Sequence, residues 1–256
     1  MQSGITQLMT YPVESTNLAL SISLLTALII VSGLCLYFYI PWVYSQFQKH
    51  KLEKQVTKHR ILVITLDDGP GEKLTQKTLE MLSSQGVRAT YFLLGRNISG
   101  REELVRQIAK EGHEICSHGF DHLHAWKIRP GRGIKDIKKG WEAIDKALGT
   151  TNNIYPYRPP NGKLNLVTLI YLWVKRVPVI YWTADIGDTW LPIIQKKIDR
   201  EWAKIARGAV VLAHDFDRAT DIRDQYVLES LGRCLVMARQ NGLDICSMAE
   251  LKEKVG

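Results

Sequence analysis

This sequence has no evident means for disulfide or thiolate chemistry. Its four cysteines, Cys35, Cys116, Cys234 and Cys246, show no C-x-x-C pair and no zinc-type spacing, so neither a disulfide framework nor a cysteine-bound metal is expected. Basic runs interleaved with aromatics are also missing. The 34 Lys and Arg exceed the 26 Asp and Glu, giving a formal charge of +8, but they are dispersed along helix-type segments. That pattern suits a solvated basic face and argues against a nucleic-acid partner. Internal repeats and low-complexity tracts are absent, which excludes a solenoid or a flexible polar chain. With a hydrophobic fraction of 45% over 256 residues, the chain has the material for one packed domain of medium size.

Charge itself is lacking in one place. Residues 18–40, "LALSISLLTALIIVSGLCLYFYI", carry none, and a run of that length can cross a bilayer as a helix. Residues 1–17 have no Lys or Arg, whereas a cleaved secretory signal has a basic leader and a shorter apolar run. The expected organisation is an N-terminal tail over residues 1–17 and a transmembrane helix over 18–43. A basic linker over 44–60, helical or flexible, then leads to one globular domain over 61–256. Trp42 and Tyr44 stand where interfacial aromatics are expected. Lys49, Lys51, Lys54, Lys58 and Arg60 all flank the C-terminal side, so the positive-inside tendency favours a single-pass protein with its domain in the cytoplasm.

Beyond residue 60, short β-type runs alternate with helix-type segments, the signature of an α/β architecture with mostly parallel strands. "ILVIT", "VRATYFLL", "EICS", "VIYWTAD", "AVVLAHD" and "LDIC" read as strands. Helical spacing appears over 74–84, around Leu104 to Ala109, over 134–148 and over 226–241. Polar, potentially reactive residues recur where the apolar strands end, and in parallel sheets and barrels that edge is where active sites form.

The first such end is "ITLDDGP", where Asp67 and Asp68 stand side by side. Two adjacent carboxylates repel, so a purely structural pair should cost stability unless it is only a turn before Gly-Pro. "SHGFDHLH" places His118 and His122 four residues apart, with His124 close behind. On one helical turn such a pair shares a face, so both imidazoles can approach one metal ion with a carboxylate as third ligand. "YRPPNG" sets Arg158 in a stiff loop, "DIGDTW" carries Asp185 and Asp188, and "VLAHD" presents His214 at a strand end. Each could also be a turn, a cap or a satisfied polar group.

Taken in order, "TLDDGP", "GHEICSHGFDH", "RPPNG", "DIGDTW" and "VLAHD" resemble the motifs of the polysaccharide deacetylases with a NodB-homology domain, carbohydrate esterase family 4. The resemblance runs from about Arg60 onward and includes "GVRATYFLLG". It implies a distorted, incomplete (β/α) barrel, here behind a transmembrane helix. It implies a divalent metal, most readily zinc, on Asp68, His118 and His122, with Asp67 as general base and Arg158 holding that carboxylate ionised. His214 would be the general acid and Asp188 would orient its imidazole and raise its pKa. The backbone N–H of Asn161 would serve the oxyanion, and Leu212, with Trp190, would shape the acyl pocket.

Two departures from the family pattern stand out. Gly119 occupies a place where the family carries a hydroxyl, and Thr189 separates Asp188 from Trp190. His113 and His124 match no ligand position and read as supporting groups. The expected activity is metal-dependent removal of N-acetyl groups from an N-acetylglucosamine-containing polysaccharide or oligosaccharide, with membrane lipid around the helix. The resemblance implies an extracytoplasmic domain, opposite to what the basic flank favours, so the side of the membrane stays open between the two; a cytoplasmic domain would instead meet a lipid-linked or soluble amino-sugar precursor. A tethered carbohydrate-binding protein without catalysis is the non-enzyme alternative, and the presence of every expected catalytic residue type argues against it.

Overall fold

The computed structural model describes residues 13–190, 195–217 and 221–255; most of the expected N-terminal tail, residues 1–12, lies outside them. Helix α1 (Val13–His59) is continuous over 47 residues and passes through Pro41. Its apolar part is one helix long and apolar enough to cross a membrane, with a mean hydropathy of 2.4 and no burial inside the protein. The stretch read as a linker is the helical continuation of that segment. From Pro41 a stripe at Ser45, Leu52 and Val56 turns inward, at intervals of four and seven residues that keep to one helix face resting on a core.

Arg60, at φ 55, reverses the chain into β1 (Ile61–Asp67). There follow α2 (Lys73–Ser84), β2 (Thr90–Leu93), α3 (Gly95–Ile98), α4 (Glu102–Lys110) and β3 (Glu114–Ser117). The second half comprises α5 (Pro130–Leu148), α6 (Leu166–Val174), β4 (Ala184–Asp185), α7 (Gln195–Ile205), β5 (Ala209–His214), α8 (Asp221–Gln240), β6 (Asp244–Cys246) and α9 (Met248–Val255). All strand pairs are parallel, in the order β3-β2-β1-β5-β4. β6 joins the first half of β1, and β2 joins the second.

Single bridges Ser117↔Tyr157 and Tyr157↔Val179 continue the curl from β3 toward β4. The sheet is therefore a barrel with one thin wall. "VIYWTAD" is expected to be a full strand, yet only Ala184 and Asp185 are regular. The carbonyls of Ile180 and Tyr181 accept instead from the Arg158 guanidinium, at 3.4 and 3.3 Å. Helix α6, "LVTLIYLWV", escapes sequence reading because its β-branched and aromatic residues suit a strand equally well. Asn165 starts it by accepting the N–H of Thr168 at 2.9 Å, an N-cap.

Strand alternation separates the two cores. Leu62, Ile64 and Leu66 of β1 pack outward with Tyr91, Leu93, Val211 and Ala213 beneath the helices. Ile61, Val63, Phe92 and Val210 point into the barrel with Val56 of α1. By the same alternation Thr65, Asp67, Leu212 and His214 belong to the interior face, at its carboxyl end. The opposite end is sealed by α1: a Cβ on Gly208 (φ 108) would lie 2.7 Å from the Val56 carbonyl and 2.9 Å from that of Ile61. Both obstacles are backbone, so Gly208→Ala is expected to lower stability by more than about 1 kcal/mol. Gly232→Ala, in open space on α8, should raise it by some tenths to about 1 kcal/mol. Chemical denaturation in detergent micelles, followed by tryptophan fluorescence, measures both.

Candidate metal centre and active site

β1 carries its alternation one residue beyond the core and delivers Asp67 to the barrel interior, 2% exposed. Asp67 Oδ1 accepts from Arg158 Nη1 at 2.6 Å. The guanidinium is fully buried. Its Nη1 also donates to the Thr65 hydroxyl at 2.7 Å, its Cζ lies 3.8 Å from the centre of the Phe92 ring, and Thr65 in turn donates to the Val211 carbonyl at 2.6 Å.

Asp68 takes a left-handed conformation, φ 70, so its side chain leaves in another direction. Asn97 Nδ2 secures the Asp68 carbonyl at 2.7 Å. Asp68 Oδ1 lies 3.5 Å from His118 Nε2 and 3.6 Å from His122 Nε2, and the three ligand atoms lie within 4.8 Å of one another.

The two histidines do not share a helical turn as their spacing suggests. β3 ends at Ser117, and Gly119 (φ 84) and His122 (φ 56) are both left-handed, so a looped chain brings the rings together, 5.2 Å between centres. A Cβ on Gly119 would collide with Asp136 Oδ2. The same Asp136 carboxylate, on α5, accepts the N–H groups of Phe120 and Asp121 at 3.0 and 2.9 Å. It braces the loop from α5 and leaves room only for a glycine at position 119.

This pocket fits a cation. Asp68 Oδ1 is buried with no hydrogen-bond partner. His118 Nδ1 lies 2.8 Å from the Arg158 carbonyl, which makes Nδ1 the donor and turns the Nε2 lone pair toward Asp68. Burial lowers the His118 pKa against the opposing pull of Asp67 and Asp68, which favours the neutral ring. A carboxylate oxygen facing the His118 Nε2 lone pair, with His122 Nε2 3.6 Å away, is an unfavourable arrangement until a positive charge sits between them.

Across the opening, His214 on β5 is the register partner of Asp67. Its Nδ1 lies 3.0 and 3.1 Å from the Asp188 carboxylate, which also accepts the His214 backbone N–H at 3.1 Å. Burial alone would lower this imidazole's pKa, but Asp188, and beyond it Asp67 and Asp68, push it up to about 9. Asp185, the other carboxylate of its motif, accepts the Gly187 N–H at 2.7 Å and forms the turn.

Leu212 is buried on the interior face below His214. Asn161 sits at φ 56 in the turn Pro160–Gly162. Trp190 is not brought to this group. It packs against the outer core beside Ile198, with Lys197 over its ring at 3.2 Å. His113 accepts the Ala89 N–H at 3.0 Å, and His124 packs its ring on Trp126; neither joins the cluster.

Asn97 and Asp136 support the site from outside the quoted motifs, and Thr65 of "TLDDGP" and Phe92 of "GVRATYFLLG" support it from within them without a role that sequence reading assigns. Asp215 ends "VLAHD", where sequence reading gives it no role. It is fully buried, accepts from the Thr75 hydroxyl at 2.7 Å, and is pushed up to about 7 by burial and by Asp68 and Asp67. Its carboxylate fills the space a side chain on Gly69 would need. Asp217, three residues beyond His214, accepts the N–H groups of Glu72, Lys73 and Leu74 and caps α2.

Comparison with known proteins bears on the family and the fold. The family model described as polysaccharide deacetylase matches residues 54–172. The peptidoglycan-N-acetylglucosamine deacetylase PgdA of Listeria monocytogenes is 29% identical over 219 residues, which is 83% of this chain and 42% of PgdA. A chitooligosaccharide deacetylase of Rhizobium leguminosarum bv. trifolii is 30% identical over 158 residues, 61% of this chain and 72% of that relative. The crystal structure of the Bc1960 peptidoglycan N-acetylglucosamine deacetylase aligns with a TM-score of 0.66 at 25% identity, over 75% of this chain and 87% of that one. The chain spans about half or less of the length of several curated relatives, PgdA among them. The parallel barrel, its strand-end cluster and these likenesses together place this chain in the polysaccharide deacetylase family, carbohydrate esterase family 4.

Proposed function

We propose that this protein is a membrane-anchored, metal-dependent deacetylase that hydrolyses the N-acetyl group of an N-acetylglucosamine-type sugar. The observation that carries this reading is the unpartnered Asp68 Oδ1 facing His118 and His122, beside a second carboxylate already committed to Arg158. α1 supplies the anchor, and the basic residues that follow its apolar part favour the cytoplasmic face.

Zinc or another divalent cation held by Asp68, His118 and His122 would supply Lewis acidity to the amide carbonyl and to water. The protein's own groups divide the proton transfers. Asp67 Oδ2, the oxygen not taken by Arg158, receives the proton of the attacking water as its oxygen bonds the acyl carbon. His214 Nε2 gives its proton to the sugar nitrogen as the carbon–nitrogen bond breaks, leaving acetate and a free amine. Asp188, on Nδ1, keeps the imidazole in the orientation that presents Nε2–H. The backbone N–H of Asn161 stabilises the negative charge on the acyl oxygen, and Leu212 lines the floor for the methyl group.

Asp67→Asn should leave zinc binding by calorimetry within a fewfold of the native value and reduce acetate release from an N-acetylchitooligosaccharide about a hundredfold or more. His118→Ala should lose both. Acetate release undiminished by a chelator would exclude the metal-dependent reading.

The pH profile tests His214. The acid must be protonated, so kcat/KM falls as pH rises through its pKa. That limb lies at or below about 9, since a cation on Asp68 would offset part of the carboxylate's pull. Asp188→Asn removes the main source of the upward shift, so the limb should move to lower pH and kcat should drop about a hundredfold. An unmoved limb would assign the proton to another group.

A further inference from the structure

The direction of the barrel relative to α1 has a consequence for the substrate. α1 leaves its apolar stretch near Ile40 and climbs about 28 Å to His59 at 1.5 Å per residue. The chain then reverses at Arg60, and β1 descends about 20 Å from Ile61 to Asp67. Contacts along α1 fix this sense. Val56 packs with Ile61 and Val63 at the starting ends of the strands. Lys49, further back, lies over Trp182 at 4.4 Å, just ahead of β4. Phe38, inside the apolar stretch, meets Trp126 with 5.5 Å between ring centres, four residues past His122. Every strand is parallel to β1, so the carboxyl ends that carry the site all point back toward the apolar stretch.

A second feature lies at the same level. α6 leaves Val167, Ile170, Trp173 and Val174 exposed, Trp173 at 77%, and Ile170 and Trp173 line one depression with Ile40 and Tyr44 of α1. This face is continuous with the flank of the apolar stretch, and Lys175 and Arg176 follow it in sequence. An exposed apolar helix face beside a membrane span, bordered by cations, fits the bilayer–water interface. Lys163 lies over the Trp126 ring at 4.5 Å, and Lys127 follows Trp126 directly in the chain; such cations suit phosphate oxygens.

We infer that the catalytic opening faces the bilayer, and that the acyl group removed belongs to an amino sugar joined through phosphate to a membrane lipid. This rests on the anchored-deacetylase reading above. A sugar carried on a lipid would enter from the membrane plane, whereas a cross-linked polymer would have to pass between the domain and the headgroups.

The test uses the full zinc-loaded chain in vesicles of phosphatidylethanolamine and phosphatidylglycerol. One substrate is N-acetylglucosamine joined by diphosphate to a polyprenol in the same vesicles; the other is a soluble N-acetylchitooligosaccharide. Acetate release should favour the lipid-linked sugar roughly tenfold or more at equal concentration, and Ile170→Glu or Trp173→Glu should lower that preference. Equal or faster release from the soluble sugar would overturn the substrate assignment. Orientation is read separately in a Cys35→Ser background with a fluorophore on Trp173→Cys or, at the far end of α8, on Gln240→Cys. Lipids with a nitroxide near the headgroup should quench the first and spare the second. Equal quenching would overturn the facing. Acetate from neither sugar would overturn the deacetylase reading and the substrate built on it, with the quenching pattern still deciding which way the opening points.

Discussion

The buried pair of Arg158 and Asp67 is the interaction on which the rest of the site depends. Both groups are almost completely removed from water, and desolvating two charges costs several kcal/mol per ion unless the geometry returns it. Here the guanidinium is used on every side. It donates to Asp67, to Thr65 and to the carbonyls of Ile180 and Tyr181, and stacks on Phe92. It thereby bonds β1 to the thin wall of the barrel, where regular pairing is reduced to single bridges. The same residue acts through its backbone, since its carbonyl fixes the His118 ring and its N–H donates to the Ser117 carbonyl at 3.0 Å. One arginine sets the orientation of the proposed base and of one proposed metal ligand. Loss of its side chain would leave Asp67 buried and unpaired, a change of about 3–5 kcal/mol in comparable pairs.

Much of this was legible in the sequence because the fold puts chemistry where apolar runs stop. β1, β3 and β5 end within a residue of the carboxylates and imidazoles that their motifs display, so strand ends alone pointed to a shared site. The histidine pair was found for a reason that did not hold. Spacing of four suggests a helical turn, but two left-handed residues bring the rings together instead, and left-handed geometry at a histidine has no sequence signal comparable to that of glycine. The supporting groups were hidden for a similar reason. Thr65 and Phe92 stand inside quoted stretches but read there as ordinary strand residues, and Asp136 is an ordinary helix residue until tertiary packing sets its carboxylate under the loop at Phe120 and Asp121. Trp190 shows the converse: a motif residue that sequence assigned to the pocket lies on the outer core.

α6 and the 179–185 segment mark the limit of periodicity as a guide. The first is apolar enough to be read as a buried strand, and its exposure on a helix makes sense only beside α1. The second has the composition of a full strand but gives its carbonyls to a side chain. In both cases a long-range partner overrides local preference, and no window of neighbouring residues contains that partner.

The adjacent aspartates show how a short-range conflict is settled by geometry. Both carboxylates carry charge near one another, and in a regular strand they would point to opposite faces, one of them into the outer apolar core. The strand ends between them instead. Asp67 keeps the register of β1 and its place opposite His214; Asp68 turns left-handed, with its carbonyl tied by Asn97. The two side chains then face different partners, an arginine in one case and a pair of imidazoles in the other. Arg158 neutralises the first within the protein. The second has no Lys or Arg among the described residues that contact it, so the proposed metal ion would be what balances its charge. Repulsion between the carboxylates thus becomes a source of affinity: the uncompensated one is the proposed ligand, and the compensated one is free to take a proton.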